Sequence, residues 1–359
     1  MNAKKNIEKQ FQIYRTLLAI AIALAVAFVF IFIISDDPLT SIRSFLLGPV
    51  SSKRKVGNII EMMTPLLFTG VGVCMIFSAN QTNMAVEGGF FMGAVMATAA
   101  ATMIKLPAGL HMVICLLVGG LTGAVVCLVP AGLFVKFGAK PVVSSIMVNN
   151  ACLYFGLAII NHILRDPSAG YMASMKFAKT AKMPELLDGT NVHLGIVIGL
   201  AVVVGGYLYL YRSKGGYEIR TIGKNTEFAR YSGMHVNHVI LKAQLIGGFL
   251  AGLGGAVEVL GMYNRFQYQS LTNHGFDGIM IGIMAGYNPR LIPVTALFLA
   301  YIRVGADAMQ RTSDVPIELV SIITAIIVML IVAERFLYKT KHKRMVAAAK
   351  EEAAKKEAA

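Results

Sequence analysis

Apolar runs of membrane-spanning length, separated by short polar pieces, recur from one end of this 359-residue chain to the other, and they leave few folds open. A helix needs roughly 20 predominantly apolar residues to cross a hydrocarbon core about 30 Å thick. The runs predict crossings at Leu17 to Ile34, Met62 to Ala79, Phe90 to Ile104, Leu110 to Val135, Val142 to Ile163 and Val192 to Tyr211. Further crossings follow at Val239 to Leu260, Phe276 to Ala285, Leu291 to Val304 and Leu319 to Ala333. Composition agrees, because only 14% of the residues are charged, against roughly 25% in soluble domains. The expected fold is an all-α polytopic membrane protein of about ten transmembrane helices, some broken or re-entrant, with pseudo-repeated halves.

Charge orients the chain. Lysine and arginine beside apolar runs collect on the cytoplasmic side of membranes. Arg212, Lys214, Arg220, Lys224 and Arg230 lie between two spans, and Arg335, Lys339, Lys341, Lys343 and Arg344 follow the last one. Both places are expected inside, as are both termini. The polar stretch Ser35 to Glu61 is then outside, although Arg43, Lys53, Arg54 and Lys55 run against that placement. The formal charge of +14 is accordingly directed at anionic lipid and not at nucleic acid. Lys4, Lys5, Lys9 and Arg15 precede the first run, and no small-residue cleavage site follows it, so it is expected to remain as the first span. The resulting organisation is a cytoplasmic segment over 1–16, a transmembrane domain over 17–338 with a cytoplasmic loop at 212–238, and a charged cytoplasmic tail over 339–359.

Several runs are short or interrupted, notably Phe276 to Ala285 between Gly275 and Gly286, and the span containing Pro65. Non-helical backbone survives at membrane depth only where protein buries it or a cavity solvates it, so broken segments in both halves hint at a translocation path. The halves share a faint likeness between Gly89 to Ala97 (GFFMGAVMA) and Gly275 to Ala285 (GFDGIMIGIMA). Glycines inside the apolar runs let helices approach closely. Gly248 and Gly252 form a G-x-x-x-G pair, with Gly255 one turn on and Gly119 and Gly123 forming another pair. Packing within one subunit is favoured over a dimer interface. Cys74, Cys115, Cys127 and Cys152 lie singly in apolar runs and read as small core residues.

Polar residues in this background are the candidate functional positions. Glu87, in Asn83-Met84-Ala85-Val86-Glu87-Gly88-Gly89, either favours the N-terminal end of the helix that follows or lines a transport path. Asn149 and Asn150, inside a span, either join helices or touch a passing solute. Glu258 and Asp277 fall near the ends of their segments and are read as interfacial. In the cytoplasmic loop, Asn225 or Thr226 is placed to N-cap a short helix, Glu227 favours its first turn and Gly233 closes it, giving a partner a handle on two spans. Gly223-Lys224 lacks the upstream glycine and following Ser or Thr of a phosphate-binding loop. No catalytic constellation and no metal-ligand pattern is found, so any ATP must be bound by another chain.

These same residues resemble those of permease subunits from bacterial ATP-binding-cassette importers of the nucleoside, simple sugar and branched-chain amino acid branch. Asn83 to Ala94 (NMAVEGGFFMGA) is similar to the nucleoside-type pattern F-N-I-G-x-E-G-Q-x-x-x-G-A, with Gly89 where Gln is usual. Val142 to Asn149 (VVSSIMVN) resembles V-x-x-T-x-M-x-N, and Gly275 to Pro289 fits G-x-x-G-I-x-x-A-x-x-G-x-x-x-P. The resemblance covers roughly Pro65 to Phe336. It implies a substrate path near Asn83, Glu87, Gly88, Asn149 and Asn150, and coupling to an ATPase through Asn225, Thr226, Glu227, Arg230 and Gly233. It implies ATP-binding subunits that carry ATP and Mg, with no cofactor in this chain. It also implies a second homologous permease or a copy of this one, and an extracellular lipoprotein or periplasmic protein that binds substrate and touches the loop Leu164 to Asn191. The expected function is a permease subunit, not an enzyme, in a bacterial cell membrane, passing a nucleoside-like or sugar-like solute. The alternatives are an ion-gradient-driven transporter using Glu87, Glu258 and Asp277, or a permease of the same importer class for simple sugars or branched-chain amino acids.

Overall fold

The computed structural model describes residues 37–312, with isolated positions at 25–32 and 322–329. The expected spans Leu17 to Ile34 and Leu319 to Ala333, the segment 1–16 and the tail 339–359 lie outside the described residues, isolated positions aside. The chain divides into two compact units, one formed by 1–49 with 305–359, the other by Val50–Val304. Eleven α-helices are present among the described residues, and seven helical segments are long and apolar enough to cross a membrane.

In the first unit, helix α1 (Pro38–Leu47) starts at Asp37, whose carboxylate accepts the N–H of Thr40 at 3.3 Å. A single 3-10 turn, Gly48–Val50, follows. Gly305 lies so close to the Phe45 carbonyl that a Cβ there would meet it at 2.5 Å.

The second unit begins with α2 (Lys53–Phe77), capped by the Ser52 hydroxyl on the N–H of Lys55. Of the polar stretch Ser35 to Glu61, residues 37–61 are largely helical, because the Asp37 and Ser52 caps start helices well before the apolar run. One sequence expectation is corrected here. Pro65 does not interrupt its span: α2 runs through it unbroken. Proline removes one donor from the ladder, but α2 is packed against neighbouring helices along this stretch. The hydroxyls of Thr64 and Thr69 donate back to Ile60 and Pro65 carbonyls at 2.8 and 3.2 Å.

Helices α3 (Val86–Met103), α4 (Leu110–Phe137), α5 (Pro141–His162), α6 (Gly195–Arg212), α7 (Lys214–Lys224), α8 (Thr226–Tyr231), α9 (Val236–Met262), α10 (His274–Met284) and α11 (Ile292–Thr312) complete the described chain. Helix α9 is the hub, packed against α2, α3 and α4. Glycine makes this possible, since Gly252 lies against the backbone of Gly119 and Gly123, Gly248 against Gly123, and Gly255 against Phe90. These contacts are within the subunit. Outward faces of α4, α5 and α6 remain apolar and exposed, at Leu121, Val125, Met147, Phe155 and Val204 among others, as lipid requires.

Helix α10 has 11 residues and therefore rises about 16 Å, half of a hydrocarbon core. It runs beside α2 in the same direction, with Gly278 at Thr69 and Gly282 at Val73. It ends in the left-handed residues Gly286 and Tyr287, the latter stacked on Phe77 at 5.7 Å. Helix α3 runs beside α9, with Asn83 at Gln244 and Gly93 at Gly252. Both α3 and α10 thus begin inside the protein after a non-helical return, residues 78–85 for one and 263–273 for the other. The two segments that look alike in sequence are these two helix starts.

Candidate functional site

The return before α3 is built by buried amides. Asn83 Nδ2 donates to the Cys127 carbonyl at 3.0 Å and to Gln244 Oε1 at 2.7 Å, while its Oδ1 accepts the N–H of Ala85 at 2.9 Å. Asn149 Nδ2 donates to the Met84 carbonyl at 3.0 Å, and its Oδ1 accepts the N–H of Gly88 at 2.9 Å. The two side-chain oxygens thereby satisfy the N–H groups of Ala85 and Gly88, which have no helix ladder to join. A Cβ at Gly88 would press on Asn149, so close approach is what glycine supplies there. Asn150 is elsewhere, exposed on α5 and donating to Ile146 at 3.1 Å.

Glu87 is fully buried, and its carboxylate caps α10, not the helix that contains it. One oxygen accepts the N–H of Asn273 at 2.7 Å and the Thr272 hydroxyl at 3.4 Å; the other accepts the N–H of Gly275 at 2.6 Å. An anion at a helix N-terminus meets both orphan N–H donors and the positive end of the dipole. Here the N-termini of two helices converge on one carboxylate.

Beyond Glu87, on the side of α9 away from α8, lies a cavity of about 510 Å³. Glu258, Tyr263, Gln267, Tyr268, Thr272 and His274 are among the residues that line it. Glu258 Oε1 accepts from the Tyr268 hydroxyl at 3.0 Å and from His274 Nε2 at 3.0 Å. The His274 ring packs on Phe90 at 5.3 Å, and Tyr268 is held edge-on by Tyr263 and Phe266 at 5.3 and 5.2 Å.

Glu258 and Asp277, expected at interfaces, are instead buried, at 7% and 1% exposure. Glu258 is placed inside because the return 263–273 folds back over it, bringing Tyr268 and His274 to its carboxylate. Asp277 is paired with Arg303, whose guanidinium donates to it at 2.6 Å. Sequence reasoning gave no role to His274, Tyr268, Gln244 or Arg303. A cation within an apolar run, as Arg303 is, demands a buried carboxylate partner, and that signal was available.

The loop 163–194 covers the same end of the unit. Its backbone pairs with the return 263–273 and with α9, through Ser174 to Phe266 (3.0 Å), Phe177 to Asn264 (3.0 Å) and Met183 to Leu260 (3.2 Å). Asp166 meets Arg265 at 3.3 Å. Ser168 donates to Asp166 from its hydroxyl at 2.6 Å and its N–H at 2.9 Å, and these bonds, with Arg265, hold the carboxyl below the usual aspartate range.

At the opposite end, the 212–238 loop folds as two helices. Helix α7 ends at Lys224, so Gly223-Lys224 is helix and not a phosphate-binding loop. Gly223 sits directly on the Ser78 carbonyl at the end of α2, leaving no room for a Cβ. Asn225 caps α8 by accepting the N–H of Phe228 at 2.9 Å, and Thr226, the first helical residue, donates back to Ile222 at 3.1 Å. Gly233 has φ +78°, the left-handed value that ends the segment. Glu227 and Arg230 pair on the surface at 3.4 Å. Beside them Phe228 and Tyr231, unremarked in the sequence, are 57% and 88% exposed.

Among the described residues, seven segments long and apolar enough to cross a membrane, of which α3 begins inside the protein as the shorter α10 does, together with a polar cavity and a capped helix at the other end, describe a multi-pass membrane transport subunit. The chain belongs to the family described as branched-chain amino acid transport system, permease component, which matches residues 56–333. It is 30% identical over 282 residues to a guanosine ABC transporter permease protein of Bacillus subtilis, covering 77% of this chain and 80% of that protein. It is 26% identical to a glucose ABC transporter permease protein of Haloferax volcanii, over 84% of this chain and 82% of the relative. A nucleoside ABC transporter permease protein of Lactococcus lactis is 24% identical over 89% of this chain and 90% of its own length. No solved structure matches the chain.

Proposed function

We propose that this chain forms the translocation path of an ATP-driven importer for a nucleoside-like or sugar-like solute, in a bacterial cell membrane with both termini inside. ATP and Mg belong to partner ATPase chains; a second permease, homologous or identical, closes the path, and an extracellular binding protein delivers solute at the 163–194 end. The observation that carries the reading is α8. A short helix capped at Asn225, ended at Gly233 and exposing Phe228 and Tyr231 between two membrane-linked helices is a docking knob for a partner on that face.

The names of the relatives favour nucleosides first and sugars second. The ion-gradient alternative is not favoured, since Glu87 is engaged by backbone N–H groups and Asp277 by Arg303. Vesicles containing the chain with its ATPase, partner permease and binding protein are expected to accumulate labelled nucleoside only with ATP inside. Vesicles containing this chain alone, under an imposed proton or sodium gradient, are expected to accumulate none. Gradient-driven uptake by the chain alone would overturn the reading.

A further inference from the structure

The polar cavity at the end of α9 is lined by two residues that each carry a buried polar atom the fold leaves unused. Glu258 Oε2 has no hydrogen-bond partner among the described residues, and neither has His274 Nδ1. Glu258 is more than nine-tenths buried, and both residues line the same cavity. A carboxylate only accepts, so His274 Nε2 must donate to Glu258 Oε1. Nδ1 is then an acceptor in the neutral ring and a donor in the imidazolium that the neighbouring carboxylate favours. Phe90 and Tyr268 fix both groups in place.

Buried polar atoms without partners are costly unless something polar visits them. The visitor must bring a donor to Glu258 Oε2 and, beside it, a group that can donate to or accept from His274 Nδ1, and fit within about 510 Å³. A vicinal diol does this, and ribonucleosides and hexoses both carry one. We propose that Glu258 and His274 read a vicinal diol on the passing solute, and so determine which solutes the permease admits. Tyr263 and Gln267, on the same wall, supply an aromatic face and an amide for the remainder of the molecule. The proposal rests on the importer reading above.

The test uses cells expressing the complete importer and compares uptake of tritiated uridine with 2′-deoxyuridine, and of glucose with 2,4-dideoxyglucose, in which no two hydroxyls are adjacent. Binding-protein preference is common to all variants and cancels when ratios are compared. The wild type is expected to prefer the diol-bearing member of whichever pair it carries. Glu258→Gln replaces one carboxylate oxygen with an N–H donor. His274→Gln keeps an N–H donor near the Nε2 position and removes Nδ1. Each is expected to reduce the preference by about tenfold, as loss of one hydrogen bond does. A uridine effect assigns the ribose and a glucose effect the hexose. Ratios equal to wild type in both variants would overturn the assignment while leaving the importer intact. If both variants reach the membrane in normal amount but carry no flux, ATP hydrolysis still stimulated by binding protein supports it, and lost stimulation overturns it. A wild type that imports neither pair removes the importer reading and this assignment together.

Discussion

Glu87 and Gly275 are 188 positions apart in sequence, yet the carboxylate of one accepts the backbone N–H of the other at 2.6 Å. That bond ties the start of α3 to the start of α10 inside the protein, where water is not available to do the same. Replacing Glu87 with Ala strands the N–H groups of Asn273 and Gly275. Each charge-assisted bond lost is worth about 1.5–3 kcal/mol. Glu87→Ala is expected to lower the thermal midpoint of the detergent-solubilised protein by several degrees, with Glu87→Gln milder. Identical melting of wild type and Glu87→Ala would remove the capping role.

The crossing of α4 and α9 makes a differential prediction. Gly123→Val drives a side chain into the backbone of Gly248 and Gly252, whereas Gly132, on the same helix, has nothing within 4 Å of its missing Cβ. Overpacking costs about 1–3 kcal/mol and more where backbone must move. Gly123→Val is expected to abolish accumulation of folded protein, and Gly132→Ala to leave it unchanged, as read by size-exclusion profiles of a fluorescent fusion. Equal profiles would contradict the close packing.

On α8 the ion pair and the aromatics are expected to differ in weight. Glu227 and Arg230 are both 64% exposed, and such pairs contribute well under about 1 kcal/mol. Phe228 and Tyr231 have the character of interface anchors, each worth about 2 kcal/mol or roughly 30-fold in affinity. Phe228→Ala with Tyr231→Ala is therefore expected to uncouple ATP hydrolysis from uptake while insertion is retained, and Glu227→Ala with Arg230→Ala to do so less. Coupling that survives loss of both aromatics would place the ATPase contact elsewhere.

Acid should loosen the 163–194 loop only at low pH. The Asp166 carboxyl is held below its usual range by Ser168 and Arg265. A depressed carboxyl pKa contributes stability that is complete above the unfolded value, near 4, and is lost as pH falls through the folded one. Protease accessibility of the 163–194 loop is expected to be flat from neutral pH down to about 5 and to rise below about 4. Asp166→Asn should show the raised accessibility at neutral pH. A transition near pH 6 would point to a different group.

The spans were legible because hydropathy is a local property: Leu110 to Val135 and Val239 to Leu260 fall within α4 and α9. The cap of α8 was legible for the same reason, since Asn225 acts on a residue three positions away. Glu87 was singled out, but which helix it serves depends on Gly275. Glu258 was read as interfacial because its surroundings are made by the return 263–273, whose path over α9 no local pattern encodes. Pro65 misled in the other direction, because burial holds a helix that propensity alone would break.

The seat of Gly223 on the Ser78 carbonyl has a mechanical consequence. Ser78 opens the return that carries Asn83 and Glu87, Glu87 holds Gly275, and His274 beside it faces the cavity. The seat itself has no side-chain slack, so α7 shifts only by dragging the return with it or by tearing that seat open, and the next link is the buried Glu87 carboxylate on Gly275. A push on α7 is thereby geared, through backbone and one short carboxylate bond, to the chamber at the far end.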